Sequence, residues 1–413
     1  MLGWSLISNL NVGVFVCLGG LNPLEKHGEK QNPKTLNKKM EDKLAKRTWV
    51  EINPEALKKN LHICRELAPD AAVMAVVKAD AYGHGLTETV KAIESQIDAF
   101  GVATLREAIT IISLISEKKM VMILGALLPD ERKAAILQDI HVTVSSLEEA
   151  KEFNDLGKSC DREVQAHLVL DTGMGRLGFS EKSFVENCQE IKTLNHISIK
   201  GVATHFPCSD QDNEFTEKQI KAFNSILRNS NIKPKWIHLA NSAATLRIGD
   251  SSGTMIRPGL IIYGISPIED YGSKLKPAME WKARISQIRK LPLGSSISYG
   301  RSYITEAETK VATVAVGYGD GYPRSLSGKD TEVIIKGTRC RILGKVTMDM
   351  IMVDVTTICE PLKSGDEVTL IGTEGNECIS VLELAKKAET IPWEILTGIS
   401  PRVERMVCLK DKQ

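Results

Sequence analysis

Several short apolar stretches of the 413-residue chain end on side chains that can do chemistry. Ala71–Ala79 closes on Lys78 and runs on through Asp80, Ala81, Tyr82, Gly83, His84 and Gly85. Gln165–Asp171 is followed by Thr172, Gly173, Met174, Gly175 and Arg176; Lys200–Phe206 carries His205 near its end. Trp236–Asn241 contains His238 and is followed by Ser242, and Thr254–Arg257 is followed by Pro258 and Gly259. A lysine with no metal-binding cluster around it suits Schiff-base chemistry, because partial desolvation exposes the neutral, nucleophilic amine. A serine opening a helix, with a glycine whose bare N–H can approach closely, suits a phosphate. The two demands together point to pyridoxal phosphate.

These side chains meet only if the stretches end on one face. The apolar runs are Ala71–Ala79, Ala99–Thr104, Val121–Ala126, Val142–Ser145, Gln165–Asp171, Lys200–Phe206, Trp236–Asn241 and Thr254–Arg257. They are apolar throughout rather than alternating, as in parallel strands covered on both faces. Helical spacing fills gaps between them, for instance over Leu105–Leu114, Leu147–Leu156, Lys182–Thr193 and Asn213–Leu227. Eight strands alternating with helices match a (β/α)8 TIM barrel over residues 48–278, whose reactive groups sit just past the C-terminal strand ends. An open doubly wound sheet is the competing pattern, but no G-x-G-x-x-G follows the first strand. Thr48–Asn53 reads as a further strand that is free to pair with the second domain, and Asn53-Pro54 as a helix start.

From residue 279 to 413 the helical period gives way to β-branched runs, Lys310–Val316, Glu332–Lys336, Ile351–Val355 and Glu367–Ile371. Turns such as Leu293-Gly294 and Lys336-Gly337 separate them, so this part reads as mainly β, with one helix over Ser380–Lys387.

Lys and Arg number 53 and Asp and Glu 52, a net charge of +1 that gives no case for nucleic acid or a membrane surface. Val12–Leu21 is too short an apolar run to span a bilayer. The nine cysteines are scattered without a C-x-x-C pair, which argues against a zinc site or a disulfide framework and for a reducing cytoplasm. Residues 1–47 read differently: apolar to Leu21 without a basic start, then lysine-rich. That fits a signal peptide poorly. The readings are a disordered leader, a degenerate signal, or sequence ahead of a start at Met40.

The longer strings resemble alanine racemase. They are AVVKADAYGHG (Ala75–Gly85), DTGMGRLG (Asp171–Gly178), GVATHF (Gly201–Phe206), HLANSAA (His238–Ala244), RPGLIIYG (Arg257–Gly264), ISYG (Ile297–Gly300), GYGDGYP (Gly317–Pro323) and Met348-Asp349. They occur in order over nearly everything from Thr48 to Arg405. The resemblance implies a homodimeric pyridoxal 5'-phosphate enzyme that racemises alanine, supplying D-alanine for peptidoglycan, with active sites shared between chains. It implies that Lys78 carries the cofactor and acts as one base, and that Tyr299 of the partner chain is the other. Removing a proton from one face of Cα and returning it to the other requires two bases. His205 and the arginines around it would make a tyrosine base usable. Arg257, buttressed by His238, would face the pyridine nitrogen and leave it unprotonated.

By the same resemblance Tyr82, Ser242, Gly259 and Leu260 would hold the phosphate. Arg176 would reach the substrate carboxylate. Met348, with Asp349, would close the substrate site from the other chain, and Tyr318 would narrow its entrance. His84 has no assigned chemistry. Two positions depart from the family. Val169 stands where many members carry a carbamylated lysine that orients the arginine. Trp393, in Ile391-Pro392-Trp393-Glu394, stands where many carry a phosphate-binding tyrosine. Competing readings are a broad-specificity amino-acid racemase on this fold, a decarboxylase, which Arg257 disfavours, and a barrel-only cofactor-binding protein without a second domain.

Overall fold

The computed structural model describes residues 46–249 and 253–408. The leader and the Met40 start fall outside these residues, apart from Lys46 and Arg47. Those two belong to the fold: Lys46 Nζ pairs with Glu404 at 2.6 Å, and the Arg47 carbonyl accepts from Arg284 N at 2.9 Å.

Strand β1 (Thr48–Ile52) leads into helix α1 (Pro54–Leu67). The side chain of Asn53 accepts from Ala56 N at 3.1 Å and Pro54 fills the first turn, where it loses no hydrogen bond. Eight strands follow: β2 (Ala72–Val76), β3 (Ala99–Val102), β4 (Met120–Ile123), β5 (Val142–Val144), β6 (Val164–Val169), β7 (Ile197–Ala203), β8 (Trp236–His238) and β9 (Met255–Ile256). Between them run α2 (Leu86–Ile93), α3 (Leu105–Leu114), α4 (Pro129–Leu137), α5 (Leu147–Cys160), α6 (Glu181–Lys192), α7 (Asn213–Ser230) and α8 (Ser242–Ile248). Side chains of Thr104, Ser146, Ser180, Asp212 and Asn241 cap α3, α5, α6, α7 and α8. Each such cap is worth about 1 kcal/mol.

The strands pair in parallel in the orders β4-β3-β2-β9 and β5-β6-β7-β8. Two seams close the ring. His141 N donates to Val121 O at 2.9 Å between β4 and β5, and Arg257 N donates to Ala240 O at 2.9 Å between β8 and β9. A closed ring excludes the open doubly wound sheet. Met74, Ala99, Met122 and Met255 fill the interior on the β4-β3-β2-β9 side.

The second part is built on β10 (Met279–Leu291), a strand longer than any run the sequence singles out there. It is followed by β11 (Ser296–Ile297), β12 (Tyr303–Ile304), β13 (Thr309–Val314), β14 (Glu332–Ile335), β15 (Thr338–Leu343), β16 (Ile351–Asp354), β17 (Glu367–Glu374) and β18 (Glu377–Ile379). Helices α9 (Val381–Ala388) and α10 (Pro392–Thr397) and strand β19 (Glu404–Val407) end it. Strands β10, β13, β16, β15, β14 and β17 pair in that order, and β17 pairs back onto β10. This small antiparallel barrel closes over Trp281, Val333, Val353 and Val368. Lys336 and Gly337 both take positive φ (53° and 67°), the conformation that a two-residue β14–β15 hairpin needs. Strand β1 lies antiparallel to β10 and parallel to β19, so the segment that opens the fold is stitched into the β part.

Candidate active site

The barrel brings Lys78, Arg176, His205, His238, Ser242, Arg257 and Gly259 to one rim, because each lies at or just past the C-terminal end of its strand. Lys78 is half-buried, and among the described residues its amine has no hydrogen bond or ion pair. Burial first, and the Arg176 charge second, lower its pKa from 10.5, against the pull of Glu107. That favours the neutral amine.

The turn after Lys78 is left-handed. Ala79, Asp80, Ala81 and Tyr82 all have φ of 53°, and Gly83 continues at 77°. For L-residues this costs roughly 1–2 kcal/mol each, so the surroundings must hold it. They do so through Ala79 N to Glu107 Oε1 (2.6 Å), Leu86 N to Asp80 Oδ1 (2.7 Å) and Arg405 Nε to Gly83 O (3.0 Å). Gly83 is needed on steric grounds too, since a Cβ there would lie 2.1 Å from Leu396 O. Nothing in Ala-Asp-Ala-Tyr signals such a turn, and the sequence reading does not contain it.

The turn swings Tyr82 back beside Gly259, where an added Cβ would come within 2.7 Å of the Tyr82 hydroxyl oxygen. Gly259 N donates to Ser242 Oγ at 2.9 Å, leaving the serine proton to point elsewhere. The Trp393 side chain hydrogen-bonds Tyr82. Burial pushes the Tyr82 phenol up to about 12, so its proton stays on. Leu260 opens the turn that follows. The Gly259 and Trp393 N–H groups are thus spent on the Ser242 and Tyr82 oxygens, which aims the two hydroxyl protons outward as the donors of a carboxylate-free cradle that fits a phosphate.

Arg257 is buried and has no acidic partner among the described residues. Nη1 donates to His238 Nδ1 at 2.9 Å and also to His238 O; Nη2 donates to Thr204 O at 2.8 Å and Leu239 O at 3.1 Å. Its Nη2 lies 3.5 Å from His205 Nδ1. Burial pulls the guanidinium down to about 10, which leaves it charged at neutral pH. His205 is held at about 3, by burial and then by Arg257, Arg176 and Lys78, and burial holds His238 well below 6.5. The rim is therefore cationic with neutral imidazoles, a setting for an anionic ligand.

Asp171 Oδ1 accepts from Gly173 N and Met174 N, each at 2.9 Å, and so shapes the loop that carries Arg176. Val169 offers no charge, and among the described residues no side chain pairs with exposed Arg176.

Tyr299, Tyr318, Met348 and Asp349 lie in the β part, and among the described residues no hydrogen bond or ion pair joins them to the rim. Tyr299 sits between β11 and β12 and is 70% exposed. Ser298 Oγ donates to Lys345 O (2.7 Å) and Tyr318 N to Thr347 O (3.0 Å), so both tyrosines lean on one segment. Met348 is exposed beside them, and Asp349 Oδ1 binds Arg402 at 2.9 Å. Three residues of the site escaped the sequence reading. Glu107 braces the left-handed turn, and His167 and His141 line up behind His238. A lone histidine inside the apolar run Gln165–Asp171 was the available signal.

The family model described as the N-terminal domain of alanine racemase matches residues 52–267, and that of the C-terminal domain matches residues 278–407. The alanine racemase of Methylacidiphilum infernorum is 39% identical over 362 residues, covering 87% of this chain and 92% of the relative. The solved alanine racemase from D-cycloserine-producing Streptomyces lavendulae superposes with a TM-score of 0.83 at 31% identity, covering 89% of this chain and 98% of that one. That of Bartonella henselae, solved with covalently bound pyridoxal phosphate, superposes at 0.81 with 26% identity, covering 88% and 100%.

Proposed function

The chain belongs to the alanine racemase family, and we propose that it interconverts L- and D-alanine with pyridoxal 5'-phosphate on the barrel rim, using Lys78 and the partner subunit's Tyr299 as opposed bases. The observation that carries this reading is the rim itself: a desolvated, unpaired Lys78 beside a carboxylate-free donor cradle and a buried Arg257. Pyridoxal phosphate, when bound, supplies the electron-withdrawing ring that acidifies the Cα–H of an amino acid.

The Tyr82 and Ser242 hydroxyls would hold its phosphate, oriented by Trp393 and Gly259 and with Leu260 beside them, and Lys78 would hold the cofactor covalently. Arg257 keeps its own proton at neutral pH and can only donate, so the ring nitrogen facing it would stay unprotonated. That tempers the electron sink and favours prompt return of the proton over decarboxylation. Lys78 Nζ would exchange the Cα proton on one face, and Tyr299 Oη of the partner subunit on the other. Arg176 would take the substrate carboxylate.

Support for a shared site is the exposure of Tyr299, Tyr318, Met348 and Met350, large apolar side chains that a partner surface would cover. We place Met348 and Asp349 at the substrate site of the partner chain in a homodimer, with Tyr318 at its entrance. Among the described residues no helix is long and apolar enough to cross a membrane, and the eight described cysteines are free. Both suit a cytoplasmic enzyme supplying D-alanine to peptidoglycan.

The test is directional. Tyr299→Phe should lower kcat by about 10²- to 10⁴-fold, the usual worth of a general base. Washing the α-proton of each enantiomer out into deuterated water should then become unequal between L- and D-alanine. Racemisation in both directions at the parent rate would refute the two-base reading.

A further inference from the structure

Arg257 heads a row of three histidines that crosses the barrel interior. Its Nη1 lies 2.9 Å from His238 Nδ1, His238 Nε2 lies 2.8 Å from His167 Nδ1, and His167 Nε2 lies 2.9 Å from His141 Nδ1. The imidazoles stand 5.0 and 5.2 Å apart. Arg257 and His238 lie at the C-terminal ends of β9 and β8, whereas His141 precedes the N-terminal end of β5. The row therefore runs from the catalytic rim to the opposite mouth, where half-buried His141 lies near Asp139, Lys200 and Lys118. Room for it is built in. Gly201 of β7 faces the His167 ring, and a Cβ there would lie 2.2 Å from Nδ1.

The direction of every hydrogen bond in the row follows from its first member. Arginine has donors only, so His238 Nδ1 must accept. A neutral imidazole that accepts at Nδ1 carries its proton on Nε2 and donates there. His238 thus donates to His167, and His167 by the same rule donates to His141. Burial, the first cause in each case, holds all three rings neutral. A carboxylate behind Arg257 would orient it but cancel its charge, whereas a lone pair held by a fixed tautomer orients it and leaves the charge whole.

We propose that His167 and His141 are positioning residues for racemisation. His167 accepts from the His238 Nε2–H and is itself anchored on His141, so together they fix the position of the His238 ring and hold the Arg257 guanidinium in place for the cofactor ring. The proposal rests on the reading of Arg257 given above; the tautomers themselves do not.

Long-range ¹H–¹⁵N correlation on the histidine-labelled holoenzyme should show all three rings protonated at Nε2 and bare at Nδ1. A His238 or His167 ring protonated at Nδ1, or a charged imidazolium at neutral pH, would overturn the relay. His167→Phe should lose about 10- to 100-fold in kcat, as for other outer-shell partners, with KM for alanine little changed. The cofactor absorbance band should move, and His167→Gln, which can accept and donate, should recover part of both. Should His167→Phe not fold, His141→Phe at the half-buried end tests the same point by taking away the acceptor that anchors the His167 Nε2–H. Parent kcat and band in a folded His167→Phe or His141→Phe enzyme would refute the proposal. Failure of the Arg257 reading looks different: Arg257→Lys would then keep the parent rate and band. Failure of the relay alone shows as a crippled Arg257→Lys beside an unaffected His167→Phe.

Discussion

Replacing Tyr82 with phenylalanine removes one oxygen from the middle of the donor cradle. The hydroxyl is buried beside Gly259 and, with its pKa at about 12, protonated at any physiological pH. Its oxygen is engaged by the Trp393 side chain, so its own proton is left to donate to a phosphate. A hydrogen bond to a charged acceptor is worth about 1.5–3 kcal/mol, and each 1.4 kcal/mol is tenfold in affinity. Tyr82→Phe should therefore weaken pyridoxal phosphate binding by about 10- to 150-fold. It should also remove the hydrogen bond from half-buried Trp393, at about 0.5–1.5 kcal/mol of stability. Equilibrium dialysis of the cofactor and guanidinium unfolding of the cofactor-free chain read the two effects separately. An unchanged cofactor Kd in Tyr82→Phe would refute the cradle.

Two further outcomes follow from the loop after Lys78. Gly83→Ala places a Cβ 2.1 Å from Leu396 O at a φ of +77°, so the left-handed turn must open or α10 must retreat. Thermal unfolding should fall by several degrees and cofactor be lost on gel filtration; a variant with the parent melting curve and full cofactor would show that the turn does not need glycine. His84 is buried, and burial holds its pKa at about 4 against 6.5 unfolded. Below pH 6.5 the unfolded chain takes up a proton that the native one refuses, so stability present above 6.5 is lost as pH falls through about 4. That is up to roughly 3 kcal/mol at 1.36 kcal/mol per unit. His84→Leu should flatten the dependence of unfolding free energy on pH between 7 and 4.5, and an unchanged slope would refute the assignment.

The barrel was legible because its strands announce themselves. Runs such as Ala71–Ala79 and Val121–Ala126 are apolar on both faces, and only a sheet covered on both sides buries them. Once eight such runs alternate with helices, the strand-end rule alone places Lys78, His205, His238 and Arg257 on one rim. The β part was less legible. Its runs are short, and β10 is buried along its first half and exposed along its second, with no period of two, while its partners lie far off in sequence, from β1 on one side to β17 on the other. The hairpin that carries Tyr299 is only two residues per strand, too short for any period.

Residue type and order were enough to frame the proposed chemistry: a lysine, a serine and glycine suited to a phosphate, and an arginine in place of a carboxylate. Distance in sequence hid the rest. The left-handed turn Ala79–Tyr82 persists because Glu107, Arg405 and Leu396, from three remote segments, hold residues that would never adopt it alone. Trp393 reaches Tyr82 only because α10 packs against that turn. The histidine row depends on β8, β6 and the residue ahead of β5 placing ring nitrogens within 2.9 Å of one another, with the His167 ring in space that Gly201 leaves open. Local patterns record what each segment buries; which polar atoms then face one another is decided when the ring closes.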